Sequence, residues 1–274
     1  MREVFDVATT HIAACFKAVL FGAALCASAP TASAQSCHSS SLRPTSGLTY
    51  RVALSSVFAT FTRPDLRGEY QGLFVTGTLS HPWFTAELAL PGYRIAQTGS
   101  HAYGPGDLAM NVRGNVFRSA DESITLGPEV AVTFPTGNAD DGLGMGHVML
   151  MPGGFVTWQH EGFTLITQLA YGRALGSAGE HAHHDGPWPI VNPMNRSEFT
   201  HSVGFSALVH PNLRVTGRLM GAVTLFNHAG AAREIIAPGL QFVAGAFDVA
   251  LEQQLPIAGA PFVSRTLMSV GAQW

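Results

Sequence analysis

Ile124-Thr125-Leu126-Gly127-Pro128-Glu129-Val130-Ala131-Val132-Thr133-Phe134 is the stretch that decides the fold. Its even-numbered positions are all apolar, and its odd-numbered positions are Thr125, Gly127, Glu129, Ala131 and Thr133. Successive side chains of a strand point to opposite faces, so this segment has one greasy face and one mildly polar face. Its neighbours repeat the pattern. Leu108, Met110 and Val112 alternate with Asp107, Asn111, Arg113 and Asn115. Leu213, Val215, Leu219 and Val223 alternate with Arg214, Thr216, Arg218 and Thr224. Phe247, Val249, Leu251 and Leu255 alternate with Asp248, Glu252 and Gln254.

The composition of the polar face decides which stripe meets water. A water-facing sheet carries dense Lys and Glu, whereas this face is Gly, Ala, Ser and Thr with single charges. Only 12% of the chain is charged against 46% hydrophobic, and soluble domains run near ~25% charged. The apolar stripe is therefore expected to face hydrocarbon and to wrap a moist interior. A periplasmic β-sandwich or lipocalin-like barrel, with the stripes reversed, is the soluble alternative. Beyond the first thirty positions no apolar run reaches the roughly 18 residues of a membrane helix, which excludes a polytopic helical protein. Net charge is -3 and the 15 Lys and Arg are scattered, so no basic stripe marks a nucleic-acid partner.

Working outward, the same alternation predicts an all-β, antiparallel, up-and-down transmembrane barrel of about twelve strands, within a range of about ten to fourteen. Short links fall at 80–82, 118–121, 159–161, 210–212 and Gly245, and they alternate with longer ones at 96–106, 135–146, 174–198 and 227–233. A barrel with both termini in the periplasm requires that asymmetry. Tyr50, Trp83, Tyr93, Phe134, Trp158 and Tyr171 sit near segment ends, where headgroups favour amphipathic rings. The last segment sets Phe262, Met268, Val270, Ala272 and Trp274 against Arg265, Ser269 and Gln273. An apolar alternation ending in an aromatic looks like the signal read by the barrel-assembly machinery, the expected partner besides outer-membrane lipid.

The N-terminus carries an export address. Arg2 and Lys17 precede an apolar stretch from Ala18 to Ala27, and Ala32-Ser33-Ala34 forms an A-x-A site. The expected organisation is a cleaved signal peptide over 1–34, a short periplasmic segment over 35–46 and the barrel over 47–274. An uncleaved anchor is the alternative, and its apolar core is short for a span. Cys15 and Cys26 lie in the leader, so Cys37 alone remains and no disulfide framework exists. Ile12-Ala13-Ala14-Cys15 has the look of a lipobox, although the main apolar segment follows it.

The polar stripe assigns Arg51, Glu87, Asp107, Arg113, Glu129, Arg214, Arg218, Asp248, Glu252 and Arg265 to the lumen, five basic and five acidic. Two readings stay open. The charges pair and brace the wall, or they form a constriction that selects small solutes by size and hydrogen bonding. His181, His183, His184 and Asp185 form a candidate Cu or Zn set in the longest connection, with a solvated histidine loop as the plain alternative. Met145, His147, Met149 and Met151 form a second patch of soft donors, with ordinary packing as its alternative. No other cofactor is indicated. No nucleophile elbow, zinc-protease helix or phosphate loop is present, and the adjacent His201 and Ser202 point to opposite faces of a strand, so an enzyme is not expected.

Gly106-Asp107-Leu108 opening one strand, Phe134-Pro135-Thr136-Gly137 closing the next, and Gly142, Gly144 and Gly146 after it resemble the outer-membrane family named for the MetA pathway of phenol degradation. The resemblance spans roughly Gly104 to Gly172, and beyond that only the barrel pattern is shared. It implies a channel-like barrel in the outer membrane of a Gram-negative bacterium, without enzymatic activity, passing a small solute of aromatic or hydrophobic character. The modest length and the histidine-rich loop depart from the family pattern. A metal-binding or sensing barrel and a structural barrel with a plugged lumen are the alternative functions.

Overall fold

The computed structural model of the chain describes residues 47–63, 66–97, 99–175, 194, 196–224, 232–259 and 262–274. Its strands are β1 (Thr49–Arg63), β2 (Leu66–His81), β3 (Phe84–Gln97), β4 (Ser100–Pro105), β5 (Leu108–Gly114), β6 (Phe117–Arg118) and β7 (Ile124–Phe134), followed by β8 (Val148–His160), β9 (Phe163–Leu175), β10 (Ser197–His210), β11 (Leu213–Thr224), β12 (Arg233–Ala244), β13 (Phe247–Ala258) and β14 (Ser264–Gln273). β3 pairs with β4 along its second half and with β5 along its first, and β6 continues against β7. These three pieces share one stave, so the sheet is a closed antiparallel barrel of twelve staves.

Closure is made by β1 and β14, in register from Arg51↔Gln273 to Thr60↔Ser264. The Tyr50 N–H donates to the Trp274 carbonyl at 2.9 Å, and the Trp274 N–H returns a bond at 3.0 Å. Closure matters because hydrocarbon offers no partner to an open strand edge. Proline, which lacks the ladder N–H, falls where pairing lapses: Pro152 lies between the paired Leu150 and Gly153, and Pro238 between the paired Ile236 and Gly239.

A single closed sheet has only an inside and an outside. Val130, Leu219 and Val270 are 40%, 42% and 45% exposed, while Arg51, Asp248 and Glu252 are buried. Charged groups shielded by a one-layer wall must be inside it, so the greasy stripe faces out. The outward band continues through Leu54, Leu73, Leu90, Leu169 and Leu240, as a membrane-spanning barrel requires.

The connections sort by end. Trp83, Glu161, Asn212 and Gly245 mark tight turns at the end that also carries Tyr50 and Trp274, the terminal end. Glu161 and Gly162 both have positive φ, the backbone twist a two-residue hairpin needs. The opposite, loop end holds the longer connections, although Arg63 of β1 stands directly opposite Leu66 of β2 there. One of these departs from the expectation: 96–106 is not an open loop. β3 runs on to Gln97, β4 begins at Ser100 with Gln97 opposite it, and Gly99 at φ +81 serves the reversal. The strand pattern breaks instead at Gly106-Asp107, between β4 and β5. Phe262 also departs from its expected outward face. It precedes β14, is buried, and lies under the Arg265 guanidinium at 4.5 Å.

Candidate functional site

The barrel interior is layered along its axis. Nearest the terminal end, the Arg51 guanidinium forks onto Asp248, with Nη2 at 3.0 and 2.9 Å from the two carboxylate oxygens. Both side chains are almost wholly shielded, so each ion depends on the other for solvation. Further in, Arg113 meets Glu129 at 3.1 Å, and Asn111 and Gln168 donate to the same carboxylate at 2.9 and 3.0 Å. Arg218 meets Glu252 at 2.9 Å. Arg265 donates to the Gln254 side-chain Oε1 at 2.6 Å and to the Tyr70 hydroxyl at 3.4 Å. Arg214 reaches Ser206 at 3.4 Å, and Glu87 lies inside with the Thr78 side chain bonded to it. Six of the ten residues assigned to the lumen thus sit in three ion pairs. A further pair, Arg233 with Glu198 at 2.6 Å, joins the interior.

Between these networks lies a cavity of about 300 Å3. Polar Glu129, Gln168 and Arg265 and apolar Met151, Met220 and Ile235 line it together, so its wall is of mixed polarity. Such mixed lining suits a molecule with both kinds of surface.

Toward the loop end the interior turns apolar. Val57, Phe61, Tyr70, Ile95, Leu143 and Phe262 pack as one buried cluster. Tyr93 stands edge-on to Tyr70 and Phe74, with centroids 6.3 and 5.4 Å away. Leu143 belongs to the connection 135–147, whose residues Gly142 to Met145 are buried. This connection folds into the barrel mouth, where a barrel with a free opening would carry it outside.

Asp107 explains why. Its Oδ1 accepts the Gly137 N–H at 3.0 Å and its Oδ2 accepts the Met145 N–H at 2.6 Å, so one carboxylate holds both arms of the connection. The Thr136 hydroxyl accepts the Leu108 N–H at 2.9 Å and donates to the Gly106 carbonyl at 2.7 Å. The approach is close enough that a Cβ on Gly144 would lie 2.4 Å from Asp107 Oδ1 and 2.8 Å from the Gly137 carbonyl. Gly-Asp-Leu and Pro-Thr-Gly therefore form the two halves of one clasp.

The remaining candidates fall as follows. Ser202 bonds Gln168 inside at 3.3 Å, while His201 meets Glu234 at 3.1 Å on the outer wall. Gly221, between their strands, leaves the room for that pair, since a Cβ there would lie 2.5 Å from the Glu234 carboxylate. His181, His183, His184 and Asp185 lie outside the described residues. Sequence reasoning missed the Arg233–Glu198 pair because both residues were placed in loops. It missed the clasp because hydrogen bonds from backbone N–H groups leave no residue pattern. The crowded Gly142, Gly144 and Gly146 were the usable signal.

No family model matches the chain, and no curated protein matches it. Solved structures do resemble it. A crystal structure of an outer-membrane channel from Pseudomonas putida F1 superposes with a TM-score of 0.66 at 13% identity, over 89% of this chain and 100% of that one. The NanC porin gives 0.53 at 9% identity, over 82% and 98%. The translocator domain of the autotransporter NalP from Neisseria meningitidis gives 0.51 at 14% identity, over 85% and 89%. At such identities the likeness is one of fold: a barrel of the kind that spans outer membranes.

Proposed function

We propose that this barrel is a gated outer-membrane conduit for a small amphipathic solute of aromatic or hydrophobic character. The observation that carries the reading is the series arrangement inside the wall: an aromatic-lined mouth over a chamber of mixed polarity, with the connection 135–147 folded between solvent and chamber. An apolar ring desolvates at the mouth at little cost and then meets Gln168, Glu129 and Arg265, which hydrogen-bond a hydroxyl or carbonyl. A sugar of equal size loses its hydration at the same mouth without replacement. The tight-turn end, with Tyr50 and Trp274, faces the periplasm in this reading. The leader over 1–34 directs export, and the strand ending in Trp274 addresses the chain to barrel assembly.

Proteoliposome swelling tests the proposal. Substituted phenols should enter faster than sugars of matched size, and loosening the clasp should raise the rate for both. A folded barrel that passes neither, even with the clasp broken, favours the braced, plugged barrel. The fully shielded Arg51–Asp248 pair is the observation on that side.

A further inference from the structure

One wall of the loop end carries chemistry that a solute path does not need. Met149 and Met151 share the interior face of β8, and Met145 and His147 lie in the connection that leads into it. Met145, His147 and Met149 are buried, at 2%, 4% and 0% exposure. Met194, from a separate connection, joins Met145 and Met149 in one buried cluster, and Met151 packs against it. Four of the chain's eight methionines meet here.

The side chains close tightly on the backbone at the same place. A Cβ on Gly172 would lie 3.2 Å from Met151 Cγ, 3.5 Å from Met149 Cε and 3.4 Å from Glu198 Cγ. Two thioether side chains and a buried carboxylate side chain therefore converge over a residue without a side chain of its own. Elsewhere the same mouth is filled by Val57, Ile95 and Ile235, whose branched shapes define packing better than flexible methionine.

We infer that this cluster is a binding site for a soft monovalent cation, Cu(I) or its analogue Ag(I), with the thioethers of Met145, Met149, Met151 and Met194 as donors and the buried His147 imidazole in the same connection as Met145. Thioether sulfur is neutral and polarisable, so it selects Cu(I)-type ions over Mg, Ca or Zn, which prefer oxygen or nitrogen. The apolar surroundings exclude water that would compete for the ion. Glu198, ion-paired to Arg233, packs its side chain against the same Gly172. Met145 also supplies the N–H that Asp107 holds, so ion entry is coupled to the connection 135–147.

The test uses the mature chain in lipid nanodiscs, with Cys37→Ser to remove the thiol and with methyl-13C methionine. Stoichiometric Ag(I) should shift the Met145, Met149, Met151 and Met194 methyl resonances while the outward Met110 and Met268 stay put. Zn(II) should shift none of the four. Met149→Leu with Met194→Leu, a change that nearly preserves volume, should abolish the shifts at Met145 and Met151. Gly172→Ala, whose methyl would press on Met151 and Met149, should weaken binding in a barrel that keeps its heat-modifiable gel mobility. Absence of shifts, shifts equal to those of Met110 and Met268, or undiminished binding by the double variant overturns the assignment.

Discussion

Replacing Asp107 by alanine removes the side chain that grips both arms of the connection 135–147 through their backbone N–H groups, those of Gly137 at 3.0 Å and Met145 at 2.6 Å. A hydrogen bond to a charged group contributes about 1.5–3 kcal/mol, so the two together favour the folded-in connection by about 3–6 kcal/mol. At roughly 1.4 kcal/mol per factor of ten, the closed-to-open ratio should fall about 100- to 10,000-fold. The Thr136 half of the clasp survives, which keeps the stave junction intact. Asp107→Asn should sit between, because an amide oxygen accepts one N–H while its NH2 group faces the other. Hydrogen exchange of the Gly137 and Met145 amides reads the opening directly, and planar-bilayer current reads its consequence. Unchanged protection of both amides in a folded Asp107→Ala barrel would refute the clasp. Lost protection with unchanged current would leave the clasp and refute the gate.

Gly144→Ala should mimic Asp107→Ala in both assays, since its new methyl meets the Asp107 carboxylate at 2.4 Å and the Gly137 carbonyl at 2.8 Å and the backbone must move. Arg51→Ala should lower unfolding stability in urea by about 3–5 kcal/mol by stranding Asp248, whereas the apolar pair Arg51→Met with Asp248→Leu should cost far less. Leu219→Arg, on the outward band, should destabilise the barrel in bilayers by about 2–4 kcal/mol if it lies near mid-plane, and the same change in detergent should be milder. In the turn after β6, hydrogen bonds from Ser119 and Ser123 hold the Asp121 carboxyl down at about 2. A carboxyl depressed in the folded state stabilises above its unfolded value of about 3.9 and loses that contribution as pH falls through about 2. Exchange protection of the Ser123 N–H, which donates to Asp121 at 3.2 Å, should therefore persist at pH 4 and fade toward pH 2, and Asp121→Asn should remove the dependence.

The wall of this barrel was legible because its determinants are local. Ile124 to Phe134 states its two faces in eleven residues, and the structure forms that segment as β7, paired with β8 from Ile124↔Trp158 to Thr133↔Met149. The interior charges Arg51, Arg113, Glu129 and Arg218 were legible as a face, because parity along a strand fixes direction. Their partners were not, since Arg51 and Asp248 stand 197 residues apart and meet only through closure of the sheet. Strand ends were the weakest reading. β4 was hidden because residues 100–105 alternate poorly, and Glu198 and Arg233 were hidden because β10 and β12 extend past their apolar runs. The inward connection was illegible for a different reason. Its burial depends on Asp107 catching two N–H groups that every non-proline residue possesses.

The clasp also separates two stabilities that a barrel might be thought to share. The wall is held by ladders running the length of each stave, and none of those bonds involves the Asp107 carboxylate. The connection 135–147 is held by that carboxylate, by Thr136, and by the apolar seat of Leu143 among Phe61, Tyr70 and Ile95. A few kilocalories at the clasp can therefore move the connection while the wall keeps its closure, which is the energetic condition for a gate. Here ion pairs brace the wall at both ends, Arg51–Asp248 at the terminal end and Arg233–Glu198 at the loop end, while the connection itself is held by an apolar seat and a two-part clasp. That division between a braced wall and a clasped connection favours a mouth built to open, and it makes the Asp107 variants the measurement on which the two readings divide.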